Sequence, residues 1–467
     1  MKNYTVKLNG NVVPVYDARV SAMPFNKVWD GAQRPKSQTE IAYFVSVDID
    51  KPSCLEIELN FEFENYKIRP IELVYECTKF DKKLNINIDR PMQFTLETND
   101  SHEALHIFVN AKSKSPDISD ENLVYFGPGE HTAGIIWVNS GQTVYMDDGA
   151  VVHGMIYAKD ANDIKILGRG ILDSSRYCRA NDPMNDGTIA DILRNNGVRE
   201  DFAGTGPIYS NMVLYNCKNV YVEGVVLRDS MFWSVIIRNG CENITLDNIK
   251  IIGQWRYNSD GIDICASKNV IVKNSFIRSF DDCFVVRGPY LPDETQNAEN
   301  IAIENCVLWC DWGKAFEVWC GDKPGTIRNI SHKNNYIIHL SMIAMSITAW
   351  FGSIDTVAEN LCYENIFIDG EEKYPYPGIE SMHNTRYEFK YGYIPFVLRI
   401  YSEKIGKNLG NQQFEPVQNV EDFNLFFRNI SFRNVHYSGV PLRQEIKEEK
   451  NLLYIKNVSA VECDFEV

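Results

Sequence analysis

The sequence predicts an all-β chain: a right-handed parallel β-helix preceded by a smaller antiparallel β-sandwich. Three observations predict it. A motif of Asn followed by β-branched or apolar residues recurs through the C-terminal two thirds. The N-terminal third alternates polar and apolar residues in short runs, and no stretch carries a convincing helical period.

The N-terminal runs include Ile41–Val47, Leu55–Leu59, Phe94–Glu97 and Leu105–Val109, separated by Asn, Asp, Pro and Lys clusters. Period-two segments of this kind suit antiparallel strands packed as a sandwich. A Lys-Ser-Lys-Ser-Pro stretch within residues 111–121 reads as a linker, which places the domains at 1–122 and 123–467.

Beyond the linker the repeats align as Asn219-Val-Tyr-Val-Glu-Gly224, Asn243-Ile-Thr-Leu-Asp-Asn248, Asn269-Val-Ile-Val-Lys-Asn274, Asn300-Ile-Ala-Ile-Glu-Asn305, Asn329-Ile-Ser-His-Lys-Asn334, Asn360-Leu-Cys-Tyr-Glu-Asn365 and Asn429-Ile-Ser-Phe-Arg-Asn434. An earlier unit, Asp163-Ile-Lys-Ile-Leu-Gly168, fits with Asp and Gly as substitutes. From Asn219 to Asn360 the spacings are 24, 26, 31, 29 and 31 residues. A unit of that length cannot bury its apolar face alone, so the units stack as coils. The second Asn of each motif falls at one turn of every coil, where it tolerates left-handed backbone and its amide can bond to the next coil. Cys217, Cys241 and Cys265, each ahead of an Asn motif, are expected to stack likewise inside the coil.

Residues 177–206, 369–395 and 402–422 break the rhythm and read as insertions that wall a cleft. The formal charge of -16 argues against nucleic acid as a partner. The 12 Cys fall largely in apolar runs and read as small buried hydrophobes. The start of the chain shows no apolar signal segment, which gives a cytoplasmic expectation, and the longest apolar run, near residues 340–351, is broken by Ser and Thr. No membrane partner is expected, and a homo-oligomer stays open. His153, His332, His339 and His436 lack ligand spacing, so no metal is expected. Gly127-Pro128-Gly129 and Gly204-Thr205-Gly206 lack the strand and helix context of a phosphate loop, so no cofactor is expected.

Chemistry concentrates in Asn258-Ser259-Asp260-Gly261-Ile262-Asp263 and Asp281-Asp282-Cys283. Asp260 precedes Asp281 and Asp282 by 21 and 22 residues, slightly under one coil, so stacking brings the three carboxylates to one rim. Clustered acids repel, and at least one should keep its proton near neutrality, supplying a general acid beside an ionised base. An isolated Asp at a coil turn ordinarily caps backbone amides. Two acidic turns on adjacent coils favour catalysis on a glycosidic bond.

Asn258 to Asp263 followed by Asp281 to Val286 resembles the Asn-Thr-Asp and Asp-Asp-Cys signatures of family 28 glycoside hydrolases, the polygalacturonase group. Gly149 to Gly154 and Ile166 to Asp173 are similar to that family's opening coils, so the likeness covers roughly residues 123–350. The resemblance implies an inverting hydrolysis in which Asp281 protonates the leaving oxygen while Asp260 and Asp282 activate water. A sandwich ahead of the coils is also similar to family 49 dextranases and isopullulanases. Where the polygalacturonase pattern has Gly-His-Gly, this chain has Gly313-Lys314-Ala315, and Ser346-Ile347-Thr348-Ala349-Trp350 stands near the place of the Arg-Ile-Lys segment. These departures point away from a uronic acid and toward a neutral sugar.

Candidate substrate-binding residues are Asn258, Trp233, Trp255, Arg256, Tyr257, Arg287, Lys314, Glu317, Trp319 and Trp350, with aromatic faces to stack on sugar rings. The expected partner is an oligosaccharide or polysaccharide, cleaved from a chain end within the walled cleft. Two other functions stay open. A lyase would use Lys314 or Arg287 as base beside a uronate, and a binding solenoid would use the acids only to hold hydroxyls.

Overall fold

The computed structural model describes residues 3–22, 34–73, 75–177, 188–198, 210–291, 293–320, 323–350, 355–369, 396–403, 406–410, 413–416, 424–441, 453–456 and 460–466. Residues 4–111 form two five-stranded sheets around an apolar core that includes Val6, Val45, Leu55, Ile86, Phe94 and Ile107. One pairing departs from the antiparallel expectation. Thr39–Ile49 and Asp100–Ala111 run parallel in the middle of their sheet, with Leu105 opposite Tyr43.

From Leu123 onward, 27 strands join one continuous sheet, and its pairings between successive coils are parallel. A coil has three faces. The cleft face comprises Met212–Tyr215, Val235–Arg238, Ile262–Cys265, Phe284–Arg287, Lys314–Cys320 and Ile343–Trp350. The ladder face comprises Lys218–Glu223, Glu242–Asp247, Lys268–Lys273, Ala298–Glu304 and the first half of Gly325–Leu340. The docking face comprises Ile171–Asp173, Val226–Arg228, Lys250–Ile252, Phe276–Ser279 and Val307–Cys310. Alternate side chains from all three point inward and fill the coil with Val220, Ile244, Val270, Ile301 and their neighbours.

Asn punctuates both ends of the ladder face. Asn219, Asn243, Asn269, Asn300, Asn329, Asn360 and Asn429 all have φ between 50° and 59°, as do Asn248, Asn274, Asn305, Asn334, Asn365 and Asn434. This left-handed turn favours Asn over branched residues. Amides of this row also donate to the preceding coil, as Asn269 Nδ2 does to Asn243 Oδ1 at 3.1 Å and Asn300 Nδ2 to Asn269 Oδ1 at 3.0 Å, whereas Asn248 Nδ2 donates to Asn110 Oδ1 of the sandwich at 3.0 Å. Asn429 Nδ2 meets Asn360 Oδ1 at 2.8 Å although 69 residues separate them, so the ladder continues in register across that interval. A shallow groove of about 590 Å³ runs over this face, lined by Thr245, Ile271, Ala302 and Ser331, away from the clustered acids.

The Cys stack is shorter than expected. Cys217 and Cys241 adjoin inside the coil, the Cys217 amide lying 3.2 Å from Cys241 Sγ. Cys265 instead pairs in register with Arg238 and packs outside, against Met155, Trp233 and Ile236. It precedes its Asn by four residues where the others precede theirs by two, and Ser267 occupies the equivalent place.

Within the first insertion, Thr188–Asn195 is an α-helix, which the sequence reading did not anticipate. Its Ala190 and Leu193 lie on Met155, Tyr157, Val213 and Ile236, covering the outer side of the coils that precede the acids. Residues 406–410 and 413–416, expected as loop, pair as a hairpin. The insertion at 369–395 lies outside the described residues after Asp369.

The sandwich packs along the docking face. Phe44, Phe108, Ala18 and Ala104 meet Val226, Ile252, Phe276, Val307 and Trp309. Buried polar contacts fix the joint: Arg69 to Glu97 at 2.8 Å and to Asp369 at 3.2 Å, Glu97 to His339, Arg169 to Asp48 at 2.8 Å, and Lys250 Nζ to the Gly224 carbonyl at 3.1 Å beside Asn110. His332, by contrast, is a core residue stacked on Tyr363 at 4.5 Å, and burial pushes it down to about 3.

Candidate active site

Three turns on adjacent coils, each leading into a cleft-face strand, converge at the acids. The pairing of Ile262 with Phe284 sets Asp260 beside Asp282, and the pairing of Phe284 with Phe316 sets Asp282 beside Lys314. Backbone bonds lock the turns together: Gly261 N to the Asp282 carbonyl at 2.8 Å and Cys283 N to the Lys314 carbonyl at 2.8 Å. Gly313 permits the approach, because a Cβ there would stand 2.4 Å from Asp282 Oδ1 and 2.6 Å from Asp281 Oδ1.

All three carboxylates are buried to 8% exposure or less. Lys314 grips Asp282 twice, through its amide at 2.8 Å and its Nζ at 3.0 Å, and its Nζ also lies 3.7 Å from Glu317. Asn258, in left-handed backbone with φ of 55°, places Nδ2 3.4 Å from Asp281 Oδ2. Burial, reinforced by Asp282 and opposed by Lys314, pushes the Asp281 carboxyl up to about 8. Burial, then Asp263, Asp281 and Asp282, pushes Asp260 well above the usual carboxylate range.

Asp263 is the acid that sequence reading left without a role. It faces outward in the row Ile236, Asp263, Val285, Glu317, Ser346, is fully buried, and burial raises it strongly although Arg287 opposes. Its outward direction was legible, since Ile262 and Ile264 on either side are inward core residues.

The remaining candidates form two groups. Arg287 lies among three rings, 5.1 Å from Trp233, 4.6 Å from Tyr290 and 4.3 Å from Trp319. Arg238 beside it is paired with Glu294, whose Oε2 accepts the Tyr290 amide at 2.9 Å. Trp233 is only 3% exposed and stacks on Phe232 at 4.8 Å under the inserted helix, so it offers little face to a sugar. The second group centres on Asp229, which receives Trp255 Nε1 at 3.2 Å and Arg256, the guanidinium lying 4.8 Å over the indole. Arg228 and Asp173 adjoin it, with His153 Nδ1 3.2 Å from Asp173 Oδ1. Tyr257 meets Trp312 edge-on at 6.0 Å. Trp350 ends its strand, and its side chain lies outside the described residues.

A family model described as Glycosyl hydrolases family 28 matches residues 200–377, the segment that holds the three turns converging at the acids. Isopullulanase of Aspergillus niger is 26% identical over 239 residues, which cover 50% of this chain and 37% of that protein. Probable exopolygalacturonase B of Aspergillus terreus is 25% identical over 205 residues, covering 39% of this chain and 44% of that one. The matches thus span less than half the length of these curated relatives. Among solved structures, Dex49A from Penicillium minioluteum shares the fold over 99% of this chain and 94% of its own, with a TM-score of 0.57 and 14% identity. A parallel β-helix with a β-sandwich ahead of it is the fold that the two chains share.

Proposed function

We propose that the protein is a glycoside hydrolase that cleaves oligosaccharides or polysaccharides by single displacement with inversion. The observation that carries this reading is the meeting of Asp260, Asp281 and Asp282 in one buried cluster, in which Asp281 keeps its proton up to about pH 8. In that state Asp281 donates to the leaving oxygen. Asp282, the acid gripped by Lys314, takes the proton of the attacking water, and Asp260 helps hold that water. The match of residues 200–377 to family 28 supports the same reading, as do the relatives named isopullulanase and exopolygalacturonase.

Chain-end cleavage is favoured by the helix Thr188–Asn195, which covers the coils before the acids and leaves less room for substrate on that side. The lyase alternative loses one of its two candidate bases, since the Lys314 ammonium is already held by Asp282 and faces Glu317. Incubation with neutral and acidic oligosaccharides, with products followed by mass, tests the proposal. Released sugars carrying one added water support it. Unsaturated products absorbing in the ultraviolet would select the lyase, and unchanged oligosaccharides would leave a binding solenoid.

A further inference from the structure

Each of the three turns that converge at the acids is preceded by an aromatic residue. Tyr257 comes before Asn258, Phe280 before Asp281 and Trp312 before Gly313. These rings, from three successive coils, form one cluster: Phe280 stacks on Trp312 at 5.2 Å with 17° between planes, and Tyr257 meets Trp312 edge-on at 6.0 Å. Phe280 and Trp312 are 1% and 2% exposed.

The outer side of this cluster is closed from the other domain. Arg34, at the start of the segment leading into the sandwich strand Thr39–Ile49, is 1% exposed, and its guanidinium lies 5.6 Å from the Phe280 ring. Its Nη1 donates to the carbonyls of Ala22 at 2.8 Å and Gln38 at 3.2 Å, so the guanidinium is anchored in the sandwich. The same charge lies alongside Asp311, the residue before Trp312, which Arg278 also approaches at 3.8 Å. A buried cation over an aromatic face is strongly held, because removing it from water leaves the ring and the nearby carboxylate as its partners.

We propose that Arg34 is a positioning residue: by holding Phe280, which stacks on Trp312, from the sandwich, it fixes the turns that carry Asp281, Asp282 and Gly313. Its influence passes through Phe280 to Asp281 and through Trp312 to Gly313, whose missing Cβ sets how closely the turn approaches both carboxylates. The sandwich is on this account part of the catalytic device, which goes beyond the hydrolase reading while resting on it for its kinetic consequence.

The full chain with Arg34→Met is the test, with Phe280→Leu as the second variant should the first fold poorly. Hydrogen exchange read by mass spectrometry is expected to speed up tenfold or more at the amides of residues 278–283 and 311–315. Exchange in the earlier coils, residues 212–223, should stay at the parent rate. On whichever oligosaccharide the parent hydrolyses, kcat should fall tenfold or more with KM within twofold. Arg34→Lys, which keeps the charge and loses the guanidinium, should fall between. Unchanged exchange in the two acidic turns of both variants overturns the proposal. So does faster exchange spread evenly over the coils, which would mark a merely structural joint. If the parent hydrolyses nothing, the hydrolase reading fails while the exchange result still judges the clamp.

Discussion

Replacing Asp281 with Asn should make the folded protein more stable while stopping its chemistry. In the folded chain burial and the neighbouring Asp282 hold the Asp281 proton up to about pH 8, whereas an unfolded Asp loses it near pH 4. A carboxyl with a raised folded value contributes its full stability below the unfolded value and loses it as pH rises through the folded one. At roughly 1.4 kcal/mol for each tenfold change in proton affinity, keeping Asp281 protonated at pH 7 costs about 4 kcal/mol. Asn is neutral at every pH and avoids that cost. It weakens the contact with Asn258, which at 3.4 Å is worth about 1 kcal/mol at most. The net expectation is a gain of about 3 kcal/mol at pH 7, small at pH 4 and larger at pH 8, together with a fall in kcat of about 10² to 10⁴-fold. Urea unfolding followed by tryptophan fluorescence at pH 4, 6 and 8 measures the first and product release the second. A variant whose advantage does not grow with pH would refute the reasoning, because Asp281 would then ionise as an ordinary carboxyl.

Two further substitutions probe the charges around this centre and the joint behind it. Lys314→Met removes a cation that lowers both Asp260 and Asp281 and is bonded to Asp282, so the basic limb of the pH profile should move to higher pH and stability at pH 7 should fall by about 3 kcal/mol, as for other broken buried pairs. An unmoved limb in a kinetic pH titration counts against Lys314 as the cluster's counterion. Glu97→Gln tests the domain joint. Burial alone would raise Glu97, but His339 and Arg69 override it and hold it down to about 2. Its contribution is therefore present above about pH 4.5 and lost as pH falls toward 2. The variant should lose about 3 kcal/mol at neutral pH and no more than about 1 kcal/mol at pH 2.5, read from unfolding at the two pH values.

The coil was legible because a left-handed turn leaves few residues to choose from. Asn219 to Asn429 announce their own conformation, and with it the register of every strand between them. Register in turn made the meeting of Asp260 with Asp281 and Asp282 readable from a spacing slightly shorter than one coil. Contacts outside that period were hidden. Glu97 and His339 are 242 residues apart in sequence, and nothing local in either segment marks the other as its partner. Trp233 read as a platform for sugar because its neighbours are strand residues, while the helix that covers it comes from an insertion with no counterpart in the repeat. Cys265 was misplaced by two residues, enough to keep it on the outward side while Cys217 and Cys241 face in. Asp263 was overlooked although strand alternation already turned it outward.

The hydrolytic account stands or falls on the product's anomeric configuration at the instant of release. Proton magnetic resonance of a fresh digest, recorded before mutarotation and using whichever oligosaccharide is cleaved, should show the anomer opposite to that of the bond broken, with no such signal from Asp281→Asn. First-formed product of unchanged configuration would contradict water attack assisted by Asp282 and require a covalent intermediate on one of the three acids.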